Sequence, residues 1–272
     1  VYTSGSEGVP KGVMITHLNA SSATEMWYRW VEFTGCEDWV YFSYLPLAHV
    51  FEREISGLPL RCGGAIAFSS GNISALLNEV EMVKPHFLTG VPRVWKRIYE
   101  KVNETIDHLP WHKWAIVKTA ISSKMAALRN GYNPWIDWDG LVLNEISKHL
   151  GPNMKFVING AAAVDPELAL WLSAVFNIKF FGGYGMSETY AAISCQHRGC
   201  DGTFGSVGCP VRGVTIRLLD VPEMNYLSTD NPPRGEICLF LLLLFPLSFP
   251  PFFSFLTSIF HCQQQQSSKD LL

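Results

Sequence analysis

Short apolar runs of strand length alternate with stretches of helical periodicity over most of this chain, and that alternation leaves few folds open. Val40 to Leu45 is β-rich and is stopped by Pro46, and Ala65 to Phe68 is bracketed by glycine and serine. Phe87 to Thr89, Phe156 to Ile158 and Ile178 to Phe181 read as further strands. Helical segments lie between them: His17 to about Val31, capped by Thr16; Ile73 to Val83; Val94 to Ile106; Trp114 to Leu128; and Pro166 to Phe176. In Val94 to Ile106, the apolar Val94, Ile98 and Val102 share a face, with Lys96, Arg97, Glu100 and Lys101 mostly elsewhere. Strands separated by helices pair in parallel, because each crossover returns the chain to the same end of the sheet. The expectation is an α/β fold on a largely parallel sheet. After Gly205 the texture changes, and Val214 to Leu219 and Glu236 to Leu239 become short β runs separated by Gly and Pro. The expected organisation is an α/β core over 1–203, a segment of a small β-rich subdomain over 204–238, and an unrelated remainder over 239–272.

Composition narrows the function. Aromatic residues at 13% and hydrophobic residues at 48% exclude a disordered chain. A net charge of −3 argues against nucleic acid as a partner, since counterion release needs a basic surface. The seven cysteines are irregularly spaced and form no CxxC pair, which points to a reducing compartment rather than a disulfide framework. Cys195, His197 and Cys200 lie close together but fit no standard zinc spacing. From Ile237 to Phe260 no residue is charged, a length that could span a membrane, yet Pro246, Pro250 and Pro251 interrupt it. All of 239–260 except Thr257 and Ile259 is Leu, Phe, Pro or Ser, residues that pyrimidine-only codons can encode. A translated intron is the expected origin of this stretch, and a membrane segment is the alternative. At the other end, Val1-Tyr2 reads as the end of a buried strand, as if the chain starts inside a domain.

Several segments carry chemistry. Thr3-Ser4-Gly5-Ser6-Glu7-Gly8-Val9-Pro10-Lys11-Gly12 gathers hydroxyls, glycines and a cation within one loop. Glycines let amide N–H groups converge on an anion, hydroxyls donate to phosphate oxygens, and Lys11 adds a point charge. The usual nucleotide P-loop places Gly-Lys-Ser/Thr at a helix start. Here a strand-like Val13-Met14-Ile15 follows instead, and an exposed turn is the plain alternative. Tyr44 to Arg53 places His49 after a strand, where a core histidine is also an option. Thr89-Gly90-Val91-Pro92-Arg93-Val94-Trp95 reads, on its residues alone, as a strand-to-helix turn that simply buries Trp95. Asn159-Gly160-Ala161-Ala162-Ala163 follows a strand and precedes a helix, with small residues that leave space for a flat ring. Gly182-Gly183-Tyr184-Gly185-Met186-Ser187-Glu188-Thr189 follows another strand.

In this order the segments resemble the adenylate-forming enzymes (acyl-CoA synthetases, luciferases and nonribosomal adenylation domains), and the long-chain acyl-CoA synthetases above all. The segment Tyr44 to Arg53, the segment Thr89 to Trp95 (by the resemblance part of the acyl channel wall) and the insert Val221 to Tyr226 carry the long-chain likeness, while Gly205 to Val211 and Pro233 to Cys238 resemble the family's β-rich subdomain. The resemblance implies ATP as a substrate, with Thr3, Ser4, Gly5, Ser6, Glu7, Gly8 and Lys11 cradling its β- and γ-phosphates. It implies adenine held by Gly160, Ala161, Ala162, Gly183, Tyr184 and Gly185, with Tyr184 stacking on the ring. It assigns Ser187 to the α-phosphate and Glu188 to Mg²⁺, so that Lys11, Ser187 and Glu188 form the catalytic set. Ser187 stands where the family usually has Thr and keeps the hydroxyl. His49, Val91 and Trp95 would border the acid. The implied reaction joins a fatty acid to coenzyme A through an acyl-adenylate, releasing AMP and pyrophosphate. Peripheral membrane association on the cytoplasmic side of an organelle such as the endoplasmic reticulum or peroxisome goes with such substrates. Another acid handled by the same fold, and a non-catalytic nucleotide-binding product, are the rival readings. The resemblance stops near residue 238, before the ribose-binding aspartate and the lysine-bearing lid that the family pattern continues into.

Overall fold

The computed structural model describes residues 1–3, 10–30, 38–132, 135–196, 204–211, 213–241 and 259–261. Two compact units result, Val1–Cys209 and Pro210–Leu272. The strands are β1 (Tyr2–Thr3), β2 (Lys11–Gly12), β3 (Val40–Ser43), β4 (Ala65–Phe68), β5 (Phe87–Gly90), β6 (Phe156–Asn159), β7 (Lys179–Met186), β8 (Ala191–Cys195), β9 (Cys209–Pro210), β10 (Val214–Leu219), β11 (Glu236–Leu241) and β12 (Ile259–His261). The helices are α1 (His17–Trp30), α2 (Val50–Cys62), α3 (Leu76–Val83), α4 (Pro92–Asp107), α5 (Trp111–Arg129), α6 (Asn144–Ser147) and α7 (Pro166–Phe176). In the first unit the main sheet runs β4-β3-β5-β6-β7-β8 and ends on β9. Pairing is parallel from β4 to β7, and β8 returns antiparallel to β7. The mixed α/β fold with a parallel-dominated sheet is the one the strand and helix alternation predicts.

Period-two alternation gives each face of the sheet its own cover. Phe42, Leu88, Val157 and Phe180 point into a core built with Trp95, Ile98 and Val102 of α4, Val117 and Ile121 of α5, and Leu172 and Val175 of α7. On the other face Tyr41 stacks on Phe87 at 4.8 Å, Phe87 on Phe156 at 5.2 Å, and Phe156 meets Phe181 edge-on at 5.8 Å. Ring pairs at such separations add to the stability that burial already supplies. The α2 helix lies on this second face, tied to it by the Tyr41 hydroxyl, which donates to Glu52 Oε2 at 2.8 Å. The α1 helix packs on α2 and buries Trp27. Thr16 caps α1 as expected, its Oγ1 accepting from the Asn19 amide at 3.1 Å. One buried ion pair braces the first core: Lys124 of α5 donates to Asp139 Oδ1 at 2.6 Å and to Asn177 at 3.2 Å.

Three local expectations change. Tyr2 is 77% exposed and belongs to a two-residue antiparallel ribbon with β2, so it is not the end of a buried strand. Val13 to Ile15 forms no strand; the pairing residues are Lys11 and Gly12. The glycine-rich Gly182 to Met186, expected to follow a strand, is itself the second half of β7, because β8 supplies a partner for it. In the second unit, β10 pairs antiparallel with β11 from Val214 opposite Leu241 to Leu219 opposite Glu236, and β12 adds to β11. The proline-broken stretch 242–258, read as intron or membrane segment, lies outside the described residues. So do His197 and Cys200 of the zinc alternative.

Candidate active site

In a parallel sheet the loops at the carboxyl ends of the strands are free to form a crevice. Here a cavity of about 400 Å³ opens in that place. Leu45 and Pro46 follow β3, Val91 follows β5, Asn159 to Ala161 end β6, and Gly183 to Ser187 end β7; all line it. Trp27 of α1, His49 to Glu52 and Glu54 at the start of α2, and Ala192 and Ser194 of β8 complete the wall.

Each part of the wall has a local cause. The chain turns after β3 through Pro46, whose carbonyl accepts from the His49 amide at 2.9 Å. Arg53 Nε donates to the Leu47 carbonyl at 2.6 Å and pins the same turn. His49 is the exposed N-cap of α2. Three residues into the helix, the buried Glu52 accepts from Tyr41 and from Ser43 Oγ at 2.5 Å, and Tyr41 Oη shares a 2.7 Å bond with Thr89 Oγ1. These bonds lock the helix start to β3 and β5. Burial pushes the Glu52 carboxyl up, and the Ser43 and Tyr41 hydroxyls partly oppose that rise. The β6 turn is built around Asn159, whose Oδ1 accepts from Trp95 Nε1 at 3.0 Å and whose Nδ2 donates to the Ala162 carbonyl at 2.9 Å. Ala161 within it takes φ +68°, a left-handed backbone that side chains rarely adopt. Gly160 faces Phe51 so closely that a Cβ would stand 2.8 Å from the ring. On β7, Tyr184 sits opposite Ser194 of β8, with a bulge between Tyr184 and Gly185. A short 3₁₀ turn, Ser187–Thr189, then carries the exposed Glu188.

Of the residues singled out in the sequence, the cavity brings together His49, Val91, Gly160, Ala161, Gly183, Tyr184, Gly185 and Ser187. Ala162 stays outside and serves as the acceptor for Asn159. Trp95 is fully buried behind the wall and acts on the cavity through Asn159. Thr3 and Lys11 pair across the β1–β2 ribbon and do not line the cavity. Ser4, Gly5, Ser6, Glu7 and Gly8 lie outside the described residues. Glu188 follows the lining Ser187 and is exposed; among the described residues no three His, Cys, Asp or Glu side chains form a metal cluster. A hard carboxylate is the kind of ligand that holds Mg²⁺ together with phosphate oxygens, so the chemistry of Glu188 fits that ion.

Sequence reasoning passed over Trp27, Glu54 and Ser194. All three are buried and line the cavity, and Trp27 Nε1, both Glu54 carboxyl oxygens and Ser194 Oγ form no hydrogen bond. Burial pushes the Glu54 carboxyl up to about 8, and the nearby Trp27 indole and Ala192 amide only partly oppose it. The readable signal was a pair of acids, Glu52 and Glu54, in a segment otherwise fit for a buried helix.

The AMP-binding enzyme family matches residues 1–240 of the chain. The chain belongs to the AMP-binding enzyme family. Fatty acyl-CoA synthetase A of Dictyostelium discoideum is 43% identical over 244 residues, covering 88% of this chain and 36% of the relative. Long chain acyl-CoA synthetase 7, peroxisomal, of Arabidopsis thaliana is 38% identical over 243 residues, covering 87% of this chain and 34% of the relative. The chain therefore spans about a third of the length of these curated relatives. The A-PCP didomain of carboxylic acid reductase from Segniliparus rugosus, solved in complex with AMP, superposes with a TM-score of 0.63 at 24% identity, covering 90% of this chain and 30% of that one. That likeness shows a shared fold. Among the described residues no helix is long and apolar enough to cross a membrane.

Proposed function

We propose that this chain is the nucleotide- and acid-binding part of a long-chain fatty acid–CoA ligase. One observation carries the reading: a single cavity is lined both by His49 and Val91, expected at the acid, and by Gly160, Ala161, Tyr184 and Ser187, expected at the nucleotide. A reaction that joins a carboxylate to an α-phosphate needs both groups in one space.

In this reading the adenine lies against the Tyr184 ring and the Gly160 to Ala162 turn. The Ser187 hydroxyl donates to an α-phosphate oxygen. Thr3 and Lys11, with Ser4 to Gly8, cradle the β- and γ-phosphates. Mg²⁺ held by Glu188 would neutralise phosphate charge. A fatty acid carboxylate oxygen beside His49 attacks the α-phosphorus, and the bond to pyrophosphate breaks. The coenzyme A sulfur then attacks the acyl carbonyl carbon, and AMP leaves. No covalent protein intermediate is required, so these side chains act by positioning and by balancing charge. Substrates that partition into bilayers favour peripheral attachment to the cytoplasmic face of an organelle, and the peroxisome is the one a relative's name specifies.

The test is fatty-acid-dependent pyrophosphate release by the full-length polypeptide that carries this segment, with and without Glu188→Gln. The substitution removes the charge that would hold the metal and is expected to lower the rate at least a hundredfold. An unchanged rate would sink the Glu188 assignment, and a protein that releases no pyrophosphate with any fatty acid would sink the function.

A further inference from the structure

The inner wall of the cavity does not suit a plain hydrocarbon. Trp27 from α1, Glu54 from α2 and Ser194 from β8 are 3%, 1% and 2% exposed, and all three line the same space. The indole N–H, both carboxyl oxygens and the hydroxyl meet no partner at hydrogen-bond geometry, although the Trp27 indole and the Ala192 amide lie close enough to the Glu54 carboxyl to oppose part of the rise that burial causes. Buried polar groups are nearly always satisfied, so three such groups around one cavity mark a place built for something polar. Their chemistry is complementary to a hydroxyl. The indole can only donate, while the serine hydroxyl and a carboxyl that burial keeps protonated can each donate and accept. A methylene in their midst would leave all of them unsatisfied.

We propose that Trp27, Glu54 and Ser194 form a recognition subsite for an oxygen-bearing substituent, a hydroxyl foremost, on the chain of the acid. This rests on the acid-binding role proposed for the cavity. Glu54 lies one helical turn beyond Val50, about 6 Å along α2 at 1.5 Å per residue. With the carboxylate beside His49 at the N-cap, that spacing assigns the substituent to the carboxyl-proximal part of the chain rather than to its far tip. A site shaped to hydrogen-bond a substituent discriminates strongly against the analogue that lacks it, because the analogue strands the site's own groups. Each satisfied hydrogen bond is worth roughly tenfold in affinity.

The test titrates the full chain by calorimetry with hexadecanoic acid and with a positional series of monohydroxyhexadecanoic acids. One or more isomers hydroxylated near the carboxyl end are expected to bind at least about tenfold tighter than the plain acid. That ratio should fall toward one in Glu54→Leu and persist in Glu54→Gln, which can still donate and accept. If Glu54→Leu fails to fold, Ser194→Ala carries the same test, with a several-fold fall in the ratio. An infrared readout separates recognition from a merely structural role. The carbonyl band of a protonated carboxylic acid, absent in Glu54→Gln, should shift with the hydroxy acid and not with the plain one. Equal affinities in the wild type, or a ratio unmoved in both variants, would overturn the subsite while leaving the acid-binding reading intact. Failure of every acid to bind would overturn both.

Discussion

Replacing Glu54 by Gln should abolish a large part of the pH dependence of stability, with a sign that the structure dictates. In the native state burial pushes this carboxyl from its ordinary 4.5 up to about 8, and the nearby Trp27 indole and Ala192 amide only partly oppose that rise. In the unfolded chain the group is hydrated and titrates near 4.5. Below that pH both states hold the proton, and the group is neutral in stability terms. Between 4.5 and about 8 the unfolded chain has released its proton while the native protein keeps it. The unfolded state then binds fewer protons, so stability falls as pH rises, by about 1.4 kcal/mol per pH unit. Across the whole window the loss reaches about 5 kcal/mol as an upper value. That is comparable with the entire stability of many domains.

Gln keeps the shape and has no proton to lose, so its curve lacks this slope. Urea unfolding of the wild type and Glu54→Gln, at half-unit steps from pH 5 to 8.5, yields the difference directly. The two proteins should be nearly equal at pH 5, and the variant should be the more stable by several kcal/mol at pH 8. Taking the difference removes other titrating groups from the comparison. Glu52, also pushed up by burial, and His86, pushed down by burial and by Lys155, are present in both proteins. Tyr190, whose hydroxyl is raised by burial and then by the Glu54 charge, titrates above the window. Parallel curves over this range would refute the claim that Glu54 is buried and protonated.

Other perturbations address other parts of the site. Trp95→Phe removes the donor to Asn159 Oδ1 in a fully buried place, and a loss of about 1–3 kcal/mol is expected in urea unfolding, with weaker ATP binding as the β6 turn loosens. Asp139→Asn leaves the Lys124 ammonium, whose side chain is only 5% exposed, without its counter-charge; a loss of about 3–5 kcal/mol should lower Tm in calorimetry. Gly160→Ala would place a Cβ 2.8 Å from the Phe51 ring, so Phe51 must move into the cavity that it lines. Overpacking of this kind costs about 1–3 kcal/mol, and equilibrium dialysis should find weaker binding of ATP and fatty acid alike.

The parts of this fold that sequence makes legible are those whose hydrophobic period is undisturbed. Pro166 to Phe176 begins with a helix-compatible proline and is apolar except at Glu167 and Ser173, and its bounds in the structure are those its sequence suggests. The strands Ala65–Phe68 and Phe156–Asn159 are short apolar runs between clear breakers, and they too fall where expected. The glycine-rich second half of β7 is different, because what makes Gly182 to Met186 a strand is the antiparallel partner β8, a tertiary fact. Helix α2 differs for a related reason: acidic side chains are seldom fully buried, yet Glu52 and Glu54 both are. Glu52 is held by hydroxyls from a neighbouring strand, and Glu54 has only the nearby Trp27 indole and Ala192 amide to set against its burial. Trp95 marks the same boundary from the other side. Its motif left a channel wall and a buried core as alternatives, and only the 3.0 Å bond to Asn159 shows how a fully buried residue still shapes the cavity. Local periodicity thus specifies the scaffold, while the polar groups that shape the cavity depend on contacts between residues far apart in sequence. A buried acid in a helix of otherwise ordinary pattern is therefore the feature to look for when such a cavity is sought in related chains.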